Sequence, residues 1–547
     1  MFYKKPYFTW LKIFIAITLI LGICFRFINI DRKVYWYDET ITSLRIAGYT
    51  RDELEDITDE AGIINGEFFQ QYQGTNPKKN VINTINSLAT ENPEHLPIYF
   101  VLLRWWVKLF GHSVAVTRSF SALTSLLVFP CIYLLCRELF NQPLVGEIAI
   151  ALTAVSPISV LYAQEARVYS LFTVAILLSS IALVRAMKIS TKRNWQIYTV
   201  SLIFALYTHL FSILVALGYG LYILLIEKLK LTKKLKSYLL ASVSGFIIFL
   251  PWLIAIIEHF DGTKWVSRTA PLLTLLKRWF INIGFTFLDI QIGSSERLFD
   301  VKNIVFDNDA LLSLNTIWPY LLLITLVLVI YSIYFICRNA PKSVNLFILT
   351  LILVTPITLI IPDLISGGQR STIPRYFIPS YLGISISVAY LLATNLTNFS
   401  NQIKYKFWQI VTVTLISVGV ISCGISSQAD TWWHKYSSYY DPQVAKIINQ
   451  TNNPLVISNH SLRLASLSYL LNPQVKFQFV EVGDVPEIPD GFSHVFIFRP
   501  EWSLISGLET QENSSLELVH NSGELWILTY SRRYPTGERG ILQSDKN

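Results

Sequence analysis

Residues 11–30, LKIFIAITLILGICFRFINI, run directly into 31–40, DRKVYWYDET. The first twenty are almost wholly apolar, and about 20 residues at about 1.5 Å rise each cross a hydrocarbon core about 30 Å thick. No small-residue cleavage site follows, so the segment reads as an anchor and not as a removed signal peptide. Three aromatics, Tyr35, Trp36 and Tyr37, and two adjacent acids, Asp38 and Glu39, come immediately after it. An apolar span that ends in aromatics and carboxylates sets the pattern for the chain.

Working outward, further apolar runs lie near 113–136, 144–161, 168–186, 195–208, 210–226, 238–257, 316–337, 344–361, 376–395 and 406–425. Together with the first they make about eleven spans. The shortest two are separated only by Tyr207, Thr208 and His209, which form either a turn or a kink. Over the 547 residues, 52% are hydrophobic and 15% charged, and mean hydropathy is +0.43. Soluble domains carry about 25% charged residues, so a water-soluble single core is excluded. The five cysteines, Cys24, Cys131, Cys136, Cys337 and Cys423, all sit inside apolar runs and read as small buried hydrophobes. A net charge of +8 is not gathered on one face with interleaved aromatics, so nucleic acid is not an expected partner.

Charge orients the spans. The connections 1–12, 137–143, 185–194, 227–237, 338–343 and 397–407 hold 17 Lys/Arg and two acids, Glu138 and Glu227. The positive-inside rule places them in the cytoplasm. The opposite set includes 31–94, with 12 acids and 6 bases, and everything after 426. The expectation is a polytopic α-helical membrane protein with its N-terminus inside and its C-terminus outside.

Residues 95–112 and 272–290 are apolar but carry Arg104 and Lys108, and Lys277 and Arg278, beside Trp. Amphipathic helices lying at the outer interface account for them, with a long tilted second span as the alternative for 95–112. After 426 a helix at 442–451 and β-branched or aromatic runs at 454–459, 475–482, 494–500 and 516–530 predict a small α/β domain. The expected organisation is therefore a membrane domain over 1–430 and an extracytoplasmic domain over 431–547. Within the first lie outer loops at 31–112 and 258–315.

Ionisable residues at span ends are costly and mark candidate sites. Asp38 and Glu39, flanked by aromatics at the boundary, should feel desolvation and mutual repulsion, which raise at least one pKa toward that of a working base; the plainer reading is an aromatic belt with two solvated acids. Glu165 and Arg167 occupy the short outer turn from Tyr162 to Ser170, as a site pair or as an ion pair sealing the turn. Arg370, Arg375 and Tyr376 stand at the outer mouth of a later span. A guanidinium fork there suits phosphate oxygens, and the alternative is a snorkelling anchor. His95, ahead of Leu96 and Pro97, and His209 are lone histidines without metal-like spacing, and capping or packing explains each equally well.

These elements resemble the membrane-embedded glycosyltransferases of the GT-C fold, specifically the family 39-like branch of bacterial protein O-mannosyltransferases and lipid A aminoarabinose transferases. The resemblance covers roughly 10–440. It is carried by Asp38-Glu39, by His95 through Phe110-Gly111 to Arg118-Ser119-Phe120-Ser121, by Ser156-Pro157 through Gln164-Glu165-Ala166-Arg167-Val168-Tyr169-Ser170, by Thr208-His209 and by Pro374-Arg375-Tyr376. It implies Asp38 as catalytic base with Glu39 and Glu165 as supporting acids. It further implies Arg375, Arg167 and Arg370 as ligands of a donor phosphate, and His95, Tyr169, His209 and Tyr376 as substrate contacts.

The implied reaction moves a hexose or pentose, with inversion, from a polyprenyl-phosphate donor to a hydroxyl of a glycan, lipid or protein. The active site would face away from the cytoplasm in the cell membrane. No cofactor is required for a monophosphate leaving group, although the acids are able to hold a divalent metal. The rival class, a lipid or glycan transporter or flippase, lacks its usual marks here. No charged relay lies in mid-span, and no paired Gly/Pro-broken spans repeat in two halves.

Overall fold

In hydrocarbon every backbone N–H and C=O must be paired within its own segment, so long apolar runs fold as helices. The computed structural model describes residues 7–260, 269–290, 318–398, 401–510 and 514–530, so most of the expected loop 258–315 lies outside the described residues. Its helices are α1 (Tyr7–Phe27), α2 (Tyr37–Ala47), α3 (Arg51–Ala61), α4 (Gly66–Gln71), α5 (Val81–Glu91), α6 (Pro97–Phe110), α7 (Val114–Leu126), α8 (Val128–Leu139), α9 (Pro143–Ala154), α10 (Pro157–Ala163) and α11 (Tyr169–Lys188). They continue with α12 (Lys192–Leu206), α13 (Ser212–Ile226), α14 (Lys233–His259), α15 (Leu272–Gly284), α16 (Trp318–Asn339), α17 (Lys342–Ser366), α18 (Ile378–Thr397), α19 (Gln402–Ser427), α20 (Asp441–Asn449), α21 (Ser461–Ser468) and α22 (Trp502–Thr510).

A helix stands at each of the eleven expected spans. Among the described residues, eight are long and apolar enough to cross a membrane, and α9 with α10 makes a ninth if that bent pair is one crossing. The remaining two, α12 and α13, have 15 residues each, about 22 Å of helix. Eleven crossings require that these two cross as well. The interfacial candidates 95–112 and 272–290 contain α6 and α15, of 14 and 13 residues, which are likewise too short to span.

The 61° bend between α9 and α10 has a local cause. Pro157 has no N–H to give to the carbonyl of Thr153, one turn earlier. Arg26 of α1 supplies the missing donors, from Nη2 to Thr153 O at 3.2 Å and from Nη1 to Ala154 O at 2.7 Å. Ile158 N turns instead to Phe285 O at 3.3 Å. Gly22 lets α1 approach this point, since a Cβ there would stand 2.5 Å from Ala154 O.

The chain forms two compact units, residues 1–50 with 72–437 and residues 51–71 with 438–547. The first holds the long apolar helices. The second is built on six strands, β1 (Ile63–Asn65), β2 (Pro454–Ser458), β3 (Lys476–Phe479), β4 (His494–Phe498), β5 (Ser514–His520) and β6 (Leu525–Tyr530), in the order β1-β3-β2-β4-β6-β5. β2 runs parallel to both β3 and β4, and the other pairings are antiparallel. Central β2 is buried along its whole length, with Val456 packed among Phe69, Phe477 and Phe496, and Leu455 and Ile457 packed with Leu504 and Leu508. Residues 51–71, expected in an outer loop of the membrane domain, thus supply α3, β1 and α4 to the second unit. Residues 431–437, expected in the C-terminal domain, belong with the first.

Candidate active site

α2 starts just after the first span, capped by the wholly buried Trp36, and carries Asp38 and Glu39 in its first turn. A helix N-terminus favours negative charge. The two carboxylates then part company. Asp38 stays partly exposed, its side chain at 15%, and its Oδ2 lies 3.1 Å from Arg375 Nη1 and 3.6 Å from Arg167 Nη2. Arg167 Nη1 also donates to Asp38 O and Thr42 Oγ1, each at 3.0 Å, which fixes the guanidinium against α2.

Glu39 points inward and is completely buried. Arg118 grips it with two parallel bonds, Nε to Oε1 at 2.8 Å and Nη2 to Oε2 at 2.7 Å. Lys435 Nζ donates to Oε2 at 2.9 Å and Ala166 N to Oε1 at 2.8 Å. Burial alone would raise the Glu39 carboxyl, but Arg118 and Lys435 outweigh it and hold it down to about 2. Of the two adjacent acids, Glu39 is therefore not one whose pKa is raised: Arg118 and Lys435 hold it as a buried anion.

Glu165 is also buried, 3.1 Å from His434 Nε2 and 3.5 Å from Lys435 Nζ. Among the described residues its Oε2 has no hydrogen-bond partner. Burial favours the neutral acid, but His434 and Lys435 hold the carboxyl below its usual range. Burial pushes the Lys435 ammonium down despite Glu39. Lys33, bonded to Gln164 Oε1 at 3.1 Å, is lowered to about 7 by burial and then by Lys435 and Arg118.

Around Asp38 the remaining candidates assemble. The Arg375 guanidinium lies 6.0 Å from the ring centres of both Tyr169 and Tyr376, and its Nη2 donates to Tyr436 Oη at 3.4 Å. Arg167 Nη2 donates to His95 Nε2 at 3.4 Å, and burial followed by Arg167 keeps His95 neutral, well below its ordinary pKa. His209 stacks on Phe172 at 4.2 Å and approaches Tyr169 at 6.3 Å; burial, then Arg167 and Arg375, hold it down to about 3. Arg370 is not brought here. It pairs with Asp363 at 3.1 Å, with its side chain one-third exposed.

Four site residues carried no assigned role from sequence: Arg118, His434, Lys435 and Tyr436. The last three sit in the short helical turn Trp433–Ser438. Trp432 and Trp433 hold that turn by donating to Asp289 Oδ2, each at 2.8 Å, and Trp433 stacks on Phe285 at 4.4 Å. Their signal was the one that picked out Asp38, aromatics interleaved with charge directly after a span. Arg118 was legible as a cation inside an apolar run.

Beside the site is a cavity of about 40 Å³ lined in part by Tyr162, Tyr169, Ser170 and Tyr381. It has room for a few waters and not for a sugar ring; the buried Tyr381 hydroxyl, which has no partner among the described residues, gives such a water one. Among the described residues no three His, Cys, Asp or Glu side chains converge as a metal-ligand set. The arrangement as a whole presents an accessible carboxylate between two guanidiniums, with Arg118 and Lys435 spent on buried acids behind it.

Residues 93–254 match the family model described as dolichyl-phosphate-mannose-protein mannosyltransferase. The resemblance seen in the sequence is borne out over that segment, which holds His95, Arg118, Glu165, Arg167, Tyr169 and His209. No curated protein matches the chain. Among solved structures, ArnT from Cupriavidus metallidurans bound to undecaprenyl phosphate is similar at 13% identity and a TM-score of 0.45, over 95% of this chain and 98% of that one. ArnT in the apo state is similar at 12% identity and a TM-score of 0.49, over 95% and 97%.

Proposed function

We propose that the chain is a multi-pass membrane glycosyltransferase that moves a sugar from a polyprenyl-phosphate donor to an acceptor hydroxyl on the extracytoplasmic face of the cell membrane. The single observation that carries this reading is the partly exposed Asp38 carboxylate held between Arg167 and Arg375. A polyprenyl-phosphate sugar is a phosphodiester with one negative charge, and the leaving polyprenyl phosphate gains a second. Preorganised guanidiniums favour that developing charge, most strongly where water is scarce.

The step needs no strong acid, because phosphate is already a good leaving group. The acceptor oxygen attacks the anomeric carbon as the bond from that carbon to the phosphate oxygen breaks. The acceptor proton passes to Asp38, and the electron pair leaves with the phosphate toward Arg375 and Arg167. Direct displacement inverts the anomeric centre. Tyr169 and Tyr376 flank Arg375 with ring faces able to meet a sugar, and neutral His95 and His209 are free of the charge that would repel the arginines.

The test uses the purified protein and a polyprenyl-phosphate sugar labelled in the sugar. A glycosyltransferase releases the label from the lipid, to acceptor or to water. A transporter or flippase binds or moves the intact lipid and leaves the label attached, and that outcome overturns the proposal.

A further inference from the structure

A second cavity, of about 490 Å³, is lined among others by Asn76, Lys79, Asn80, Arg104, Trp105 and Lys108, and not by Asp38. Sites for small molecules commonly fall in the range of about 300–1,000 Å³. Three cations line this one, and among the described residues no Asp or Glu does. Its walls are built. Arg104 is 6% exposed and donates to the carbonyls of Ile46 and Lys79, tying α6 to the end of α2 and to the approach to α5. Gly48 permits that closeness: at φ 90° it caps α2, and a Cβ there would meet Lys79 Cβ at 3.1 Å. Asn76 donates to Tyr49 Oη at 3.0 Å, and Lys79 Nζ sits 4.7 Å from the centre of the Tyr49 ring. Lys108 Nζ stands 5.3 Å from the Trp105 ring centre.

The depth of this pocket follows from α6. Leu102, Trp105, Leu109 and Phe110 leave a strongly exposed apolar stripe on the helix that carries Arg104 and Lys108, the pattern of a helix lying in the plane of a membrane interface. Lipid phosphates lie at that level. We propose that this pocket binds a phosphate group, and that its source is the headgroup of an anionic membrane lipid. Buried Arg104 supplies a fixed guanidinium, Lys79 and Lys108 add positive charge beside it, and Trp105 anchors the adjoining chain at the acyl boundary. Eight residues of α2, about 12 Å, separate Ile46, which Arg104 touches, from Asp38, so the headgroup occupies a place distinct from the reacting centre.

The test compares dihexanoyl phosphatidylglycerol, dihexanoyl phosphatidylcholine and inorganic phosphate as ligands of the full-length protein in a neutral detergent at about 150 mM salt, a concentration that screens unspecific surface attraction. Phosphatidylglycerol should bind at least about tenfold more tightly than phosphatidylcholine, which is about 1.4 kcal/mol, and millimolar phosphate should not displace it. Lys79→Gln with Lys108→Glu, with Arg104 left in place, should erase that preference while release of sugar from the donor continues at the wild-type rate. Equal binding of the two lipids, or a preference that survives in the double variant, overturns the site. Displacement by inorganic phosphate overturns the lipid source.

Discussion

A helix turns about 100° per residue, so Asp38 and Glu39 leave the first turn of α2 in different directions. Asp38 is left partly exposed while Glu39 enters a closed cluster, and that decides their chemistry. Asp38 meets the guanidiniums of Arg167 and Arg375, which the proposed function assigns to the donor phosphate. Arg375→Ala should therefore raise the donor concentration needed for half-maximal rate at least about tenfold, and Arg375→Lys should do so less, because lysine keeps the charge and loses the fork. Arg370→Ala, which removes a pair with Asp363 outside the cluster, should leave donor use near wild type. Steady-state kinetics on the three variants check this. Glu39 behaves differently. Its carboxyl is lowered from 4.5 to about 2 in the fold, so its contribution to stability is complete above about 4.5 and is lost as pH falls from there through 2. Glu39→Gln leaves buried Arg118 without its carboxylate and Lys435 with Glu165 alone, a loss of about 3–5 kcal/mol. The gap in melting temperature between wild type and Glu39→Gln should accordingly be wide at pH 7 and narrow as pH drops below 4.5; a constant gap contradicts the assignment. The sequence showed both acids as one motif, and nothing in their spacing could tell that Arg118, 79 positions away, would claim only the second.

At the scale of elements, the bend between α9 and α10 aims the turn that carries Glu165 and Arg167. Pro157 opens the bend and Arg26 closes the carbonyls it leaves. Pro157→Ala returns a donor to Thr153 O and should straighten the pair. Transfer should then fall by at least about tenfold, since small misplacements of catalytic groups are costly, with little change in melting temperature. Full turnover in this variant contradicts that role for the bend. Gly22→Ala tests the same corner from the side of α1. Its Cβ would sit 2.5 Å from Ala154 O, and overpacking of this kind costs about 1–3 kcal/mol, readable as a lowered melting temperature. The helices themselves were legible, because apolar runs of about 20 residues leave the backbone no other option. The turn at 433–438 was not. Composition changes at 426 as if one domain ended there, whereas Trp432 and Trp433 reach back to Asp289, more than 140 positions earlier, and return Lys435 to the site.

At the scale of the whole molecule, the 17-to-2 charge bias of alternate connections is the basis of the proposed orientation. On the proposed orientation the basic connections face the cytoplasm and Asp38, Glu165 and Arg375 face the other side. A phosphatase reporter fused after Asn547 should be active and a cytoplasmic reporter there silent; the reverse contradicts the orientation. Residues 51–71 show why the domain plan was only partly legible. They are rich in acid and read as loop, yet β1 pairs antiparallel with β3, more than 400 positions later, and a three-residue edge strand leaves almost no pattern in sequence. The most direct test of the central claim is the rate at which sugar leaves a labelled polyprenyl-phosphate donor in wild type and in Asp38→Asn. Removing a positioned base should lower that rate by about 10²–10⁴ while binding of the donor lipid and the melting temperature stay close to wild type. Release at the wild-type rate from Asp38→Asn would contradict the account at its base.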